Sequence, residues 1–239
     1  MSTKATRRGF DEEDYRWFSK EEVEKLKAAQ EELEWLLNRG YKMSSVVELI
    51  GGHYQFSARQ RNALMRGTCS KAQYEKRKAA MLTFEDYKED SIYIDGFNLI
   101  ITLEVALSGS VLVLGNDGAL RDLAGLRGTY RLIDKTDEAL KLIGDMLNKL
   151  MVPSAIFFLD APVSNSGRLK NRILEYANSW NTEVNVELVP NADTILSKME
   201  RVITSDSIIL DECKSWFNLS RYIVEECLDN AWIVDLNKK

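Results

Sequence analysis

The chain carries one histidine, His53, in 239 residues. That scarcity excludes histidine-rich zinc sites and leaves little room for a Ser-His-Asp triad. His53 itself lies between Gly52 and Tyr54, where a solvated or helix-capping role is the simpler reading. Only three prolines are present and no Gly/Ser tract, which argues against long disordered linkers. The three cysteines, Cys69, Cys213 and Cys227, are odd in number, far apart and without metal-ligand spacing. Reduced thiols in a cytoplasmic protein are therefore expected. No apolar run approaches the roughly 18 residues that span a bilayer, so no membrane association is expected. The opening MSTKATRRGFDEED also lacks the apolar core of a secretory signal. There is no GxxxxGK[ST] loop and no GxGxxG after a strand, so nucleotide hydrolysis and dinucleotide redox chemistry lack their usual phosphate cradle. If the chain is an enzyme, carboxylates and a metal must carry the work.

What is present is an ordinary globular composition, 45% hydrophobic and 29% charged, long enough for one α/β domain with a smaller companion. The net charge is −5, yet it is unevenly spread. Between positions 59 and 78 stand Arg59, Arg61, Arg66, Lys71, Lys76, Arg77 and Lys78 against Glu75 alone. Such a segment can hold a polyanion locally, although a solvated helix face gives the same pattern.

Residues 1–88 read as a helical N-terminal region and 89–239 as an α/β domain. Ser19-Lys-Glu-Glu22, Ser57-Ala-Arg-Gln60 and Ser70-Lys-Ala-Gln73 are capping-box patterns, with Gly40 and Gly67 as helix stops. From Ser91 the rhythm changes to alternating strand and helix: SIYID, SVLVLG, SAIFFLD, VNVELV, RVITSD and AWIVDL are strand-like. Thr136 is placed to cap the helix between SVLVLG and SAIFFLD. Strands alternating with helices imply a mostly parallel sheet covered on both faces. Asp95-Gly96 could close a hairpin, but LIITLEVAL after it has no period-two alternation, so a strand-to-helix junction is expected, with Asn98 capping the helix.

The same punctuation recurs at other strand ends. SIYID ends in Asp95, AIFFLD in Asp160 and RVITSD in Asp206, while PNADTIL places Asp193 near a helix start. Right-handed crossovers bring these ends to one edge of the sheet. Close carboxylates repel one another, and oxygen-only ligands suit Mg²⁺ or Mn²⁺. Each acid alone also reads as a turn former or helix cap. A phosphatase of the haloacid dehalogenase type needs a second aspartate two residues after the first, and Phe97 stands there.

IYIDGFNLI, FFLDAP and VELVPNADTILSKMERVITSDSIIL resemble, in family order, the motifs of the NYN subgroup of PIN-like nucleases. The resemblance covers roughly residues 90–236. It implies a three-layer α/β/α sandwich of the PIN-like type and a divalent-metal ribonuclease. It also implies acidic positions at Asp95, Asp160, Asp193 and Asp206, with Asn98 and Ser205 as polar neighbours. On that reading the four acids hold Mg²⁺ or Mn²⁺, and Arg59, Arg61 and Arg66 help to hold RNA backbone. The stretch NDGALRDLAGLRGTY departs from the compact pattern. Its Asp117, Arg121, Asp122 and Arg127 either line the site, with Arg121 and Arg127 gripping phosphate, or form a glycine-rich hairpin with an internal ion pair. Ser205-Asp206-Ser207 lacks the basic residue often found just after that family's aspartate. The whole chain also resembles an uncharacterised group of prokaryotic proteins that join a small helical part to such a domain. A non-catalytic RNA-binding or adaptor protein on a degenerate PIN-like fold is the competing expectation. A homo-oligomer is left open.

Overall fold

The computed structural model describes residues 6–83, 85–125 and 128–237. Its N-terminal part is helical: α1 (Asp14–Trp17), α2 (Lys20–Leu37), α3 (Met43–His53), α4 (Ala58–Gly67) and α5 (Lys71–Ala80). The capping boxes of α4 and α5 close reciprocally, Ser57 with Gln60 and Ser70 with Gln73. At α2 only half of the box forms, because the Glu22 carboxylate turns to Lys25 and Gln60. Gly40 stops that segment with a left-handed φ of +82°. His53 is the exposed last residue of α3.

The remainder alternates as expected. β1 (Ile92–Asp95) leads into α6 (Gly96–Leu107), followed by β2 (Leu112–Leu114), β3 (Leu120–Asp122), α7 (Asp134–Lys149) and β4 (Ser154–Asp160). Then come α8 (Ser166–Ala177), β5 (Glu183–Val189), α9 (Ala192–Leu196), β6 (Val202–Ile203), α10 (Ser207–Glu212), β7 (Trp216–Phe217), α11 (Leu219–Cys227) and β8 (Ile233–Asp235). The main sheet has five strands in the order β5-β4-β1-β6-β7, and each pair is parallel. Side chains alternate across it. Ile92, Ile94, Phe157 and Leu159 pack with α6, α7, α8 and α11, whereas Tyr93, Ile156 and Phe158 pack with α9 and α10. Helices thus cover both faces of the sheet.

Two expected strands take a different place. SVLVLG and AWIVDL do not join the main sheet; they supply β2 and β8 of a second sheet, ordered β3-β2-β8. Alternation decides this. Leu112, Leu114 and Leu120 face the core around α6, while Val111, Val113, Leu123, Val234 and Leu236 face Leu26, Leu33, Val46 and Leu64 of the N-terminal helices. The helical region therefore shares a core with the end of the chain. Gly67 fits against Leu236, where an added Cβ would come within 2.9 Å of it. α6 lies between the two sheets, so it is buried almost all round and lacks the polar face of a surface helix; its buried Glu104 is held by Arg8, Tyr130 and Thr136.

Two local expectations change as well. Thr136 does not cap α7, which starts at Asp134; its hydroxyl oxygen accepts the Ile133 amide from inside the first turn. Asp95, not Asn98, is the N-cap of α6. The strand-to-helix junction at Asp95-Gly96 forms as expected, and glycine is needed there because a Cβ would meet Leu159 at 2.6 Å. Among the described residues no helix is long and apolar enough to cross a membrane.

Candidate functional site at the switch of the main sheet

Chain order places the site. From β1 the connections run through β4 to β5 on one side, and then cross to β6 and β7 on the other. The carboxyl ends of β1 and β6 therefore flank a topological switch point, the position where parallel sheets open a crevice for ligands. Asp95 ends β1, and Thr204-Ser205-Asp206 follows β6.

These two ends are tied together by side chains. Asp95 is buried; its Oδ1 accepts the Asn98 amide at 3.3 Å and its Oδ2 accepts the Thr204 hydroxyl at 2.9 Å. Thr204 Oγ1 in turn accepts the Asp206 amide at 3.0 Å. Asn98 Oδ1 accepts both the amide and the hydroxyl of Ser205, each at 2.9 Å. Asp206 is the N-cap of α10, with Oδ1 accepting from Ile208 and Ile209. On the far side of β1, Asp160 ends β4 and accepts the Ala192 amide at 2.8 Å. That contact seats the start of α9 and with it Asp193, whose carboxylate makes no hydrogen bond among the described residues.

Electrostatics couple the four acids. Burial pushes the Asp95 carboxyl up to about 7; the charges of Asp206 and Asp193 add to the rise, and the Thr204 hydroxyl and Asn98 amide oppose it. Burial also raises Asp193, with Asp206 and Asp160 adding to it. Asp160, Asp193 and Asp206 are each half-buried. No three His, Cys, Asp or Glu side chains among the described residues gather closely enough to enclose a metal ion by themselves. The donor set nevertheless suits a hard cation. Asp160 and Asp206 each keep Oδ2 without a hydrogen bond among the described residues, Asp193 keeps both oxygens, and Mg²⁺ commonly binds through only one or two carboxylates while retaining water.

The basic residues divide into distinct roles. A cleft of about 410 Å³ beside the switch point is lined by Arg66, Asn98, Arg121, Ser205, Asp206 and Ile208, among others. Asp95, Asp160 and Asp193 are not in that lining. Arg66, partly exposed, donates to the Asp122 carbonyl at 2.9 Å. Arg59 is engaged elsewhere, paired with both oxygens of buried Asp14 and bonded to the Leu123 and Gly9 carbonyls. Arg61 pairs with Glu48 and lines a separate groove with Val47 and Phe56. The insertion forms the hairpin with an internal ion pair, and Arg121 also lines the cleft: β2 and β3 are antiparallel, and Arg121 donates twice to Asp117 and once to the Ser205 carbonyl. Arg127 lies outside the described residues.

Thr204 and Arg77 are the site neighbours that sequence reasoning passed over. The Thr-Ser-Asp motif contained the signal for Thr204. For Arg77 the signal was its spacing from Gln73, four residues earlier on one face of α5, since both reach Asp211.

Residues 25–79 match a family described as a protein of unknown function (DUF434), and residues 84–222 match a domain of unknown function (DUF5616). No solved structure matches the chain. An uncharacterized protein of Methanocaldococcus jannaschii is 35% identical over 185 residues, covering 77% of this chain and 88% of that protein. The four carboxylates, Asn98, Thr204 and Ser205 all fall inside the larger matched segment, and the chain belongs to the DUF5616 family.

Proposed function

We propose that this protein is a divalent-metal-dependent ribonuclease that hydrolyses RNA phosphodiester bonds at the carboxyl edge of its main sheet, on a PIN-like α/β/α sandwich. The observation that carries this reading is Asp95, buried at the switch point and lifted to about 7 by burial, Asp206 and Asp193. A carboxyl held in that environment is unfavourable for folding and typical of a functional position. Asp95, Asp160, Asp193 and Asp206 would hold Mg²⁺ or Mn²⁺. Such an ion supplies charge neutralisation at phosphate and lowers the pKa of water. The chain's own residues do the placing: Thr204 orients Asp95, Asn98 holds the Ser205 turn, and Arg66 offers charge to a backbone phosphate in the cleft.

A second reading, an RNA-binding or adaptor protein without catalysis, is favoured by one observation: the acids do not gather into a group of three. Cleavage of single-stranded RNA with Mn²⁺ separates the two. Wild type is expected to cleave and Asp95→Asn to be inactive yet folded. Equal cleavage by a clean preparation of Asp95→Asn rules out the nuclease assignment at this site. An inactive wild type that retains RNA selects the binding role.

A further inference from the structure

Asp206 sits between two carbonyls that are each held by a buried arginine. Arg121 Nε donates to the Ser205 carbonyl at 2.7 Å, and Arg77 Nη2 donates to the Ser207 carbonyl at 3.2 Å. One carboxylate aims both arginines. Asp117 Oδ2 accepts from Arg77 Nη1 and from Arg121 Nη2, each at 2.6 Å, and Asp117 Oδ1 accepts from Arg121 Nη1 at 2.9 Å. Arg77 further donates to Asp211 at 2.8 Å, four residues past the Ser207 start of α10, and Gln73 donates to the other oxygen of Asp211 at 2.7 Å.

The three charged groups at the centre, Arg77, Arg121 and Asp117, are almost wholly buried. Burial alone would raise the Asp117 carboxyl, but the Arg121 and Arg77 guanidiniums outweigh it and hold it well below the usual carboxylate range. Burying such a network costs desolvation that a pair of apolar residues would not incur. Ordinary packing therefore does not explain it, whereas fixing the geometry of a neighbouring group does. Its members come from three places in the chain: α5 of the helical region, the β2–β3 hairpin and α10.

We propose that Asp117 is a positioning residue for Asp206, acting through Arg77 and Arg121, which clamp the peptide on either side of that acid. The claim that this serves cation binding rests on the ribonuclease reading. It gives the hairpin insertion and the helical region a shared task. Neither need touch the reacting phosphate; together they hold the Ser205–Ser207 turn so that Asp206 Oδ2 stays directed away from its capping bonds. Arg121 and Arg77 are thereby frame rather than phosphate grip.

Amide hydrogen exchange on the full chain tests the clamp, read beside Mn²⁺ titration calorimetry and RNA cleavage. Asp117→Asn and Arg121→Lys are compared with wild type. Lysine keeps a charge for Asp117, yet its single ammonium cannot also span to the Ser205 carbonyl with guanidinium geometry. Exchange at Ile208 and Ile209, whose amides donate to Asp206, is expected to quicken about tenfold or more in both variants, while β4 and β5 amides are unchanged. Mn²⁺ affinity is expected to fall about 10- to 100-fold. Unchanged exchange at Ile208 and Ile209 in both variants overturns the proposal. So does faster exchange there with Mn²⁺ affinity equal to wild type. Should Asp117→Asn loosen β4 and β5 as well, Arg121→Lys decides alone. A wild type that neither binds Mn²⁺ nor cleaves RNA defeats the nuclease reading instead, and the clamp is then judged on exchange.

Discussion

Thr204 donates its hydroxyl to Asp95 Oδ2 at 2.9 Å, joining the ends of two neighbouring parallel strands, β6 and β1. Thr204 Oγ1 also accepts the Asp206 amide, so one small side chain sets the spacing of two of the four acids. Thr204→Val keeps the shape and removes the hydroxyl. It leaves a buried carboxylate oxygen and an amide without partners, at a cost of about 1–3 kcal/mol. Because the Thr204 bond pulls the Asp95 carboxyl down, its loss moves that carboxyl further above about 7. Carbon-detected NMR titration of Asp95 checks this: the midpoint rises in the variant. A midpoint that stays put or falls contradicts the role assigned to Thr204.

Asp95 itself carries a stability prediction whose sign is fixed by linkage. Its carboxyl is raised from 3.8 to about 7 in the folded chain, so the native state binds that proton more tightly than the unfolded state does. Stability from this group is therefore complete below the unfolded value and lost as pH climbs towards about 7, a loss on the order of 4 kcal/mol. Asp95→Asn cannot ionise and escapes the loss. Its denaturation midpoint is expected to exceed that of wild type at pH 8, with the gap closing as pH falls towards 4. On the proposed metal-dependent reading, Mn²⁺ is expected to reverse the comparison, because a ligand stabilises the chain that binds it more tightly. Urea titrations at the two pH values, with Mn²⁺ and with chelator, give all four terms. A variant less stable than wild type at pH 8 without metal shows that Asp95 is not under the strain described.

Asn98 separates acceptor from charge. Its Oδ1 receives two bonds from Ser205, so Asn98→Ala leaves that amide and hydroxyl unmatched and should cost about 1–3 kcal/mol. Asn98→Asp restores the acceptor and adds a negative charge beside Asp95. The expected result is near-native stability at acid pH, destabilisation above neutrality, and an Asp95 titration displaced upward. Thermal melts across pH resolve the two variants; identical behaviour of Ala and Asp at every pH argues against the Ser205 contact.

The legible parts of this molecule are those written in local spacing. Ser57 with Gln60 and Ser70 with Gln73 lie within one helical turn, and their caps form as read. Asp95, Asp160 and Asp193 follow apolar strands whose ends could be located by pattern, and they land at one edge of the sheet. What escaped depends on partners remote in sequence. SVLVLG and AWIVDL have sound strand patterns, but which sheet they join is decided by pairing between β2 and β8 and by the N-terminal helices that cover them. β7 is two residues long and offers no periodicity to detect. Arg77 looked like one charge in a basic run, yet its partners Asp117 and Asp211 stand 40 and 134 positions away. Charge pattern alone does not tell a solvated arginine from one enclosed by carboxylates.

Arg59 and Arg66 belong to that same basic run and are expected to part company in experiment. Arg59 fills both oxygens of Asp14, which is wholly buried, so Arg59→Ala strands a carboxylate in the core and should cost about 3–5 kcal/mol. Its folded fraction is expected to keep the cleft intact and, on the proposed ribonuclease reading, to bind RNA as wild type does. Arg66 is partly exposed in the lining of the cleft, donates to the Asp122 carbonyl at 2.9 Å and lies 3.7 Å from the Asp122 carboxylate. Arg66→Ala should therefore cost about 1 kcal/mol, well below Arg59→Ala, while on the ribonuclease reading it weakens RNA binding uniformly across sequences. Losing one phosphate contact lowers the slope of log affinity against log salt by about 0.7 for a single strand. Fluorescence anisotropy with a labelled single-stranded RNA at four salt concentrations measures that slope. An unaltered slope in Arg66→Ala, or a reduced one in Arg59→Ala, places the RNA path away from this cleft.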